Sequence, residues 1–181
     1  TSIDAIDRVS VEAAEPTTVT VALLETSTTD MQVADALRIA ADDLRQVTAR
    51  LSRRQAIFPR TGGTHAAGIF DRAGELIYFA EDVSRSNALN RAIGLALLDG
   101  SRLAGRGVAL SGRVSSELVA KCARVGIEII GPVSAPTSRA VELADEAGIT
   151  LCGFVREGRA TVFTHPHRIE QLQGADSQNE R

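Results

Sequence analysis

The chain has 181 residues, of which 44% are hydrophobic, 24% are charged and only 3% are aromatic, and its formal net charge at pH 7 is −3. This composition predicts one sizeable core that is mainly aliphatic. The scarcity of aromatic rings and the negative charge argue against nucleic acid as a partner, because single strands are bound on stacking platforms and all nucleic acids on basic surfaces.

No feature of the chain predicts a membrane partner. It has no run of eighteen apolar residues and no signal peptide. Its two cysteines are too few for a disulfide framework. These features predict a cytoplasmic protein, and the start at Thr1 instead of a methionine suggests a fragment, a processed chain or a trimmed one.

The first third of the chain contains one predicted strand and one predicted helix. Residues 19–24 are typical of a strand, and residues 26–29 of a loop that ends in a helix cap. From Asp30 to about Arg53, apolar residues recur every three or four positions, which predicts an amphipathic helix with one buried face.

A β-hairpin is predicted next. Residues 66–70 and 75–80 are apolar segments separated by the turn sequence Asp71-Arg72-Ala73-Gly74. A helix over 86–98 follows, since Leu89, Ile93 and Leu97 lie on one face.

The remaining chain alternates strands with helices. Strands are predicted at 107–110, 127–133, 149–155 and 160–164, and helices from Ser115 or Ser116 to Arg124 and from Pro136 or Thr137 to Gly148. Such alternation implies parallel strands joined by crossovers, which must bury both faces of the sheet. We therefore predict an α/β protein with a three-layer mixed sheet and helices on both faces. Residues 30–170 would form this domain, after an N-terminal segment 1–29 that leads from a missing upstream region and before a flexible tail 171–181.

Polar residues cluster at the predicted ends of the strands, where open α/β sheets bind their ligands. The first cluster precedes the hairpin and contains two adjacent glycines, which let backbone N–H groups approach an anion. The clusters are Thr61, Gly62, Gly63, Thr64 and His65; Glu81, Asp82 and the residues up to Asn87; Ser111, Gly112 and Arg113; Ser134, Ala135, Pro136 and Thr137; and Arg156, Glu157, Gly158 and Arg159. Hydroxyls, glycine backbone and arginines suit an oxygen-rich ligand such as a nucleotide diphosphate.

Each cluster also has a purely structural interpretation. A serine before a helix is usually a cap, and a single arginine or carboxylate is usually a surface residue. Sharper motifs are absent, because the sequence contains no dinucleotide fingerprint, no phosphate-binding loop with its lysine and no nucleophile elbow.

No metal site and no catalytic residue are predicted within this chain. His165-Pro166-His167 is typical of a surface turn and has no third ligand nearby in sequence. Cys122 lies within a predicted helix and Cys152 within a buried strand, so both are expected to be inert thiols.

Taken in order, these motifs resemble the C-terminal part of the formate dehydrogenase accessory sulfurtransferases, the FdhD family. The resemblance covers roughly residues 55–170 and, more faintly, Thr1 to Ile6. It is carried by Arg60-Thr61-Gly62-Gly63-Thr64-His65-Ala66-Ala67, Glu81-Asp82-Val83, Ser111-Gly112-Arg113, Ser134-Ala135-Pro136-Thr137 and Thr150-Leu151-Cys152-Gly153-Phe154-Val155-Arg156. Their joint occurrence at this spacing is highly specific.

The resemblance implies a cytidine-deaminase-like fold, a homodimer, and a role in passing sulfur from a cysteine desulfurase to the molybdenum cofactor of formate dehydrogenase or a related molybdoenzyme. It implies that the chain binds the bis form of molybdopterin guanine dinucleotide, for which guanosine diphosphate is a mimic. The first cluster would cradle a phosphate or the guanine, and Arg113 and Arg156 would supply charge to the diphosphate. The hydroxyls of residues 134–137 would line the mouth of the site, and Phe154, Val155 and the residues up to Arg159 would close over the ligand.

Two departures from the family pattern leave alternatives open. The family carries its sulfur on a Cys-x-x-Cys loop, which this chain lacks. Where the family usually has Glu-Asp-Val-Gly-Arg-His-Asn, this chain has Ser84 in place of the glycine and Ser86 in place of the histidine. The chain is therefore expected to be the cofactor-binding half of a sulfurtransferase. The alternatives are a non-catalytic module that binds the cofactor or a guanine nucleotide, and a dimerisation domain that has lost the ligand.

Overall fold

A six-stranded sheet with helices on both faces organises the chain. The computed structural model describes residues 31–156 and 159–170. The strands are β1 (Ile39–Ala40), β2 (His65–Phe70), β3 (Leu76–Asp82), β4 (Gly107–Leu110), β5 (Ile129–Pro132), β6 (Thr150–Arg156), β7 (Arg159–Val162) and β8 (Ile169–Glu170). The helices are α1 (Ala41–Arg54), α2 (Phe58–Thr61), α3 (Arg85–Leu98), α4 (Ser116–Arg124) and α5 (Ser138–Glu146), with a 3-10 helix at Pro166–Arg168.

The sheet is mixed, in the order β3-β2-β4-β5-β6-β7. β4, β5 and β6 are parallel, as the alternation of strands and helices predicts, while β2 runs antiparallel to both β3 and β4 and β7 runs antiparallel to β6. A separate parallel pair joins β1 to β8. The sequence did not predict that pair, because each of its strands is only two residues long.

Alternating side chains of the strands divide the interior into two cores. Val108 and Leu110 of β4 contribute to the core beneath α3, α4 and α5, whereas Ala109 between them contributes to the core beneath α1. The same alternation separates Leu151 from Cys152 in β6. Successive strand residues point to opposite faces, so burial of both sets requires a helical layer on each side of the sheet.

The prediction for the first helix is wrong at its start. Helical spacing predicted a helix from Asp30, but α1 begins at Ala41. The preceding residues instead give their backbone N–H groups to distant partners. The N–H groups of Ala36 and Leu37 donate to Oε2 of the buried Glu128 at 2.8 and 2.7 Å, and the N–H of Val33 donates to the carbonyl of residue 147 at 3.0 Å. A backbone held in this way cannot form the i→i−4 bonds of a helix.

The other described elements lie close to their predicted positions. The hairpin, the helix at 86–98 and the strand at 107–110 are confirmed, and the strand predicted at 127–133 is shortened to β5. The Asp71 side chain shapes the hairpin turn by accepting hydrogen bonds from the N–H groups of residues 73 and 75, and Gly74 there has φ = 69°. The predicted strand at 19–24 and the tail at 171–181 lie outside the described residues. None of the helices in the described part of the chain is long and apolar enough to cross a membrane.

Candidate functional site

The ends of β3, β4, β5 and β6 and the starts of β2 and β7 lie at the same edge of the sheet. The register pairs His65 at the start of β2 with Asp82 at the end of β3, and Ala67 with Leu110 at the end of β4. Leu110 in turn lies beside Pro132 at the end of β5. The first three polar clusters are therefore neighbours across adjacent strands.

The row of clusters continues along the ends of β5 and β6. Val114 forms a parallel bridge with Pro136 beyond the ends of β4 and β5, and its carbonyl accepts a hydrogen bond from the N–H of Thr137 at 2.9 Å. The carbonyl of Ser134 accepts a hydrogen bond from the N–H of Phe154 at 3.2 Å. These links join the third, fourth and fifth clusters. Glu157 and Gly158 of the fifth cluster lie outside the described residues.

The glycine loop is the continuation of a short helix. Gly62 ends α2 in the left-handed conformation, with φ = 64°, which glycine adopts without strain. The N–H of Gly63 donates to the hydroxyl of Thr61 at 3.1 Å, and that hydroxyl donates to the carbonyl of Ile57 at 3.0 Å. The loop is thus a turn held by its own hydrogen bonds, and it leads into β2 at His65.

Glu81 fastens this loop to the sheet. Its Oε1 accepts hydrogen bonds from the Thr64 hydroxyl at 2.6 Å and the N–H of Phe58 at 2.7 Å, and its Oε2 accepts from the N–H groups of Ala56 and Ile57 at 2.9 and 3.0 Å. Burial alone would raise the pKa of Glu81, but these four hydrogen bonds to the charged form lower it to about 2. The structure therefore gives this predicted ligand contact an anchoring role.

Asp82 and Asn87 organise the start of α3. The Asp82 carboxylate accepts from the N–H of Ser84 at 3.1 Å and from the Arg91 guanidinium at 3.2 Å. The bond from Ser84, followed by those from Arg91 and the Asn87 side chain, keeps the pKa of Asp82 below its usual range despite partial burial. Ser84 caps the helix, because its hydroxyl accepts a hydrogen bond from the N–H of Asn87.

Ser111 and Gly112 bring the third cluster against the first. The Ser111 hydroxyl accepts a hydrogen bond from the N–H of Ala66 at 2.8 Å. A side chain at Gly112 would meet two others, because a Cβ atom there would lie 2.7 Å from Cδ of Arg85 and 3.2 Å from Nδ1 of His65. Arg85 was not singled out from the sequence as a binding residue, although it lies within the second cluster.

Several cations at this edge make no ion pair within the described part of the chain. Five arginines belong to this set: Arg60, Arg85, Arg113, Arg156 and Arg159. Among the described residues, the carboxylates of Glu81 and Asp82 at this edge already accept hydrogen bonds from the protein, and Glu117 at the start of α4 is paired with Lys121. The edge is thus electropositive although the whole chain carries a net charge of −3.

Two phenylalanine rings flank the end of β6. Phe154 has φ = 53°, a strained conformation for a bulky residue, and its side chain is 40% exposed. Phe163 is 42% exposed and lies over Gly153, where an added Cβ would come within 2.6 Å of its ring and 3.0 Å of Pro136. Phe163 was missed in the sequence because it lies within the strand predicted at 160–164 and belongs to no polar cluster.

The two cysteines of the chain are far from reactive. Cys122 and Cys152 are fully buried, and burial raises the pKa of each thiol to about 12. A thiol with so high a pKa supplies almost no thiolate at neutral pH. Within residues 31–156 and 159–170, no three His, Cys, Asp or Glu side chains are grouped so that they could hold a metal ion.

The family model and the curated relatives that match this chain name the same family. The sequence model of the FdhD/NarQ family matches residues 6–170. The chain is 45% identical over 134 residues to the sulfur carrier protein FdhD of Streptomyces avermitilis, which covers 74% of this chain and 48% of that protein. It is 47% identical over 123 residues to the sulfur carrier protein FdhD of Sulfolobus acidocaldarius. That match covers 67% of this chain and 48% of the other protein.

A solved structure has a similar fold. The crystal structure of a protein from Desulfotalea psychrophila, provisionally assigned as a formate dehydrogenase accessory protein, matches with a TM-score of 0.71 and 32% identity over 77% of this chain and 59% of that one. The chain spans about half the length of the curated relatives it matches.

Proposed function

Because the chain belongs to the FdhD/NarQ family, we propose that it is the cofactor-binding part of a sulfur carrier that serves formate dehydrogenase or a related molybdoenzyme. Its cargo would be the bis form of molybdopterin guanine dinucleotide, with sulfur supplied by a cysteine desulfurase. A homodimer in the cytoplasm and a cytidine-deaminase-like fold belong to the same proposal.

The observation that supports this proposal best is the convergence of the polar clusters on one electropositive edge. Gly62 and Gly63 leave backbone exposed there, and the surrounding arginines have no acidic partner among the described residues. Guanidinium groups bind phosphate oxygens through paired hydrogen bonds. These donors fit the diphosphate of a guanine dinucleotide, and the exposed rings of Phe154 and Phe163 offer apolar surface for its planar groups.

Calorimetric titration of the full chain with guanosine diphosphate tests the ligand class. We expect binding by the wild type and a tenfold to hundredfold loss of affinity in Arg113→Ala, since one charge-assisted contact contributes about 1.5–3 kcal/mol. Arg102→Ala is the matched control, because Arg102 is an exposed arginine in the loop between α3 and β4, at the opposite edge of the sheet. Absence of heat with the wild type, or equal affinities in all three proteins, would contradict the proposal.

The buried cysteines favour a second candidate function. Since neither Cys122 nor Cys152 can present a thiolate, these 181 residues by themselves would bind the cofactor without carrying sulfur. Incubation with a persulfide-loaded cysteine desulfurase, followed by mass spectrometry of the intact chain, distinguishes a chain that carries sulfur from one that only binds the cofactor. No added sulfur is expected on this chain alone, and a persulfide on either cysteine would contradict the binding-module function.

A further inference from the structure

We propose that Arg85 is a positioning residue for His65 and that Gly112 supplies the space which allows it. The proposal rests on the proposed function, because both side chains belong to the same electropositive edge. It adds a residue pair that the sequence motifs did not identify as working together.

The three residues come from three different elements and meet at one point. His65 begins β2, Arg85 begins α3 and Gly112 follows β4. The stem of Arg85 passes so close over Gly112 that an added Cβ would lie 2.7 Å from its Cδ, and the same Cβ would lie 3.2 Å from Nδ1 of His65. The guanidinium beyond that stem donates to the carbonyl of Arg113 at 3.2 Å. This bond holds the far end of the side chain beside the loop after β4.

Arg85 is also the charged side chain that acts on His65. Asp82 lies opposite His65 on β3, but its carboxylate is already engaged by Arg91 and a backbone N–H. From the loop after β4, Arg113 offers its carbonyl to Arg85. Burial lowers the pKa of His65, and the positive charge of Arg85 lowers it further.

The consequence is an imidazole that stays neutral at neutral pH beside a fixed guanidinium. A neutral imidazole can accept one hydrogen bond and donate another, so His65 can contact an uncharged edge of a ligand while Arg85 faces a phosphate. A bound anion would offset the charge of Arg85 and raise the pKa of His65. Affinity for the anion should therefore increase as the pH falls through the pKa of His65 in the complex towards the lower pKa of the free chain.

Proton NMR titration of the untagged full chain tests the positioning role directly, since the chain has only three histidines. In the wild type we expect the signal of His65 to titrate below 6.5, the ordinary value. In Arg85→Gln it should move up towards that value, and Arg85→Lys, which keeps the charge, should restore part of the difference. In Gly112→Ala the added Cβ would displace the Arg85 stem and also pack against the imidazole, so the signal should shift from its wild-type position. His165 and His167 lie far along the chain, so their signals should titrate as in the wild type. Unchanged signals from these two residues also show that each variant is folded. Arg102→Gln should alter none of the three.

An unmoved His65 signal in folded Arg85→Gln would overturn the positioning role. Calorimetry with guanosine diphosphate on the same variants separates this result from the proposed function. About a tenfold weaker binding in Arg85→Gln is expected, since one charge-assisted contact is lost. If His65 shifts as expected but no protein binds the nucleotide, the positioning role stands and the proposed ligand fails. If all bind equally and His65 does not shift, the positioning role fails and the proposed ligand stands.

Discussion

Replacement of Glu81 by glutamine tests whether this carboxylate holds the segment between α1 and β2. Each of its two oxygens accepts two hydrogen bonds from that segment. Glutamine keeps the volume but puts an NH₂ group where one oxygen was, so that two donors would face a third donor. Two hydrogen bonds to a charged acceptor are lost, at about 1–1.5 kcal/mol each because Glu81 is only half-buried. The variant should therefore be about 2–3 kcal/mol less stable.

Urea denaturation of the full chain, followed by circular dichroism, measures this difference, and the melting temperature should fall by about 5–10 °C. Glu75→Gln is the matched control. Glu75 precedes β3, is 64% exposed, and pairs only with Arg50 within the described residues, so its loss should cost less than about 0.5 kcal/mol. A Glu81→Gln variant as stable as Glu75→Gln would refute the anchoring role.

The pH dependence of the same difference identifies charge as the cause. The pKa of Glu81 is about 2 in the folded chain, against an ordinary value of 4.5. Because the folded pKa is lowered, the stabilisation is complete above about pH 4.5 and disappears as the pH falls to about 2. The gap between wild type and Glu81→Gln should shrink across that range. A gap that stays constant would show that shape and not charge is responsible.

Three further predictions concern the core. Glu128→Gln should lower the free energy of unfolding by about 3 kcal/mol in urea titrations, because the buried carboxylate accepts three backbone hydrogen bonds that glutamine cannot all receive; a loss below about 1 kcal/mol would contradict this. Cys122 and Cys152 should resist iodoacetamide in the native chain and react after unfolding in urea, as judged by mass spectrometry, and native labelling would contradict their burial. Gly107→Ala should destabilise the chain by about 1–3 kcal/mol, since the new Cβ would lie 2.1 Å from the ring of Phe70. The double variant with Phe70→Leu should recover part of that loss, and no recovery would show that the ring is not the cause.

The sheet could be predicted because its signals are local. Strand lengths, turn residues and apolar runs in β2 to β6 need only neighbouring residues to be read. The start of α1 could not be predicted in the same way, because its cause is Glu128, more than ninety residues away along the chain. Val33 and Leu37 have helical spacing, but a carboxylate that captures backbone N–H groups outweighs that spacing.

The convergence of the polar clusters could be predicted for a topological reason. Parallel strands end at the same edge of a sheet, so residues after β4, β5 and β6 must be neighbours wherever they stand in the sequence. The contacts within the edge have no such signal. Nothing in the sequence indicates that Gly112 makes room for Arg85, or that Phe163 covers Gly153, because both contacts depend on exact register.

The acidic residues of the edge show why position in a motif does not define a role. Glu81 and Asp82 lie next to each other in the second cluster, yet the carboxylate oxygens of both accept hydrogen bonds from loops of the protein itself. Had either carboxylate been free, it would have repelled a phosphate and attracted a cation. Because both are engaged while Arg113 and Arg156 have no acidic partner among the described residues, the field at the edge favours an anion. The same two carboxylates fix the loop and the helix start that carry His65 and Arg85. If the proposed ligand binds there, Glu81→Gln should weaken nucleotide binding as well as stability.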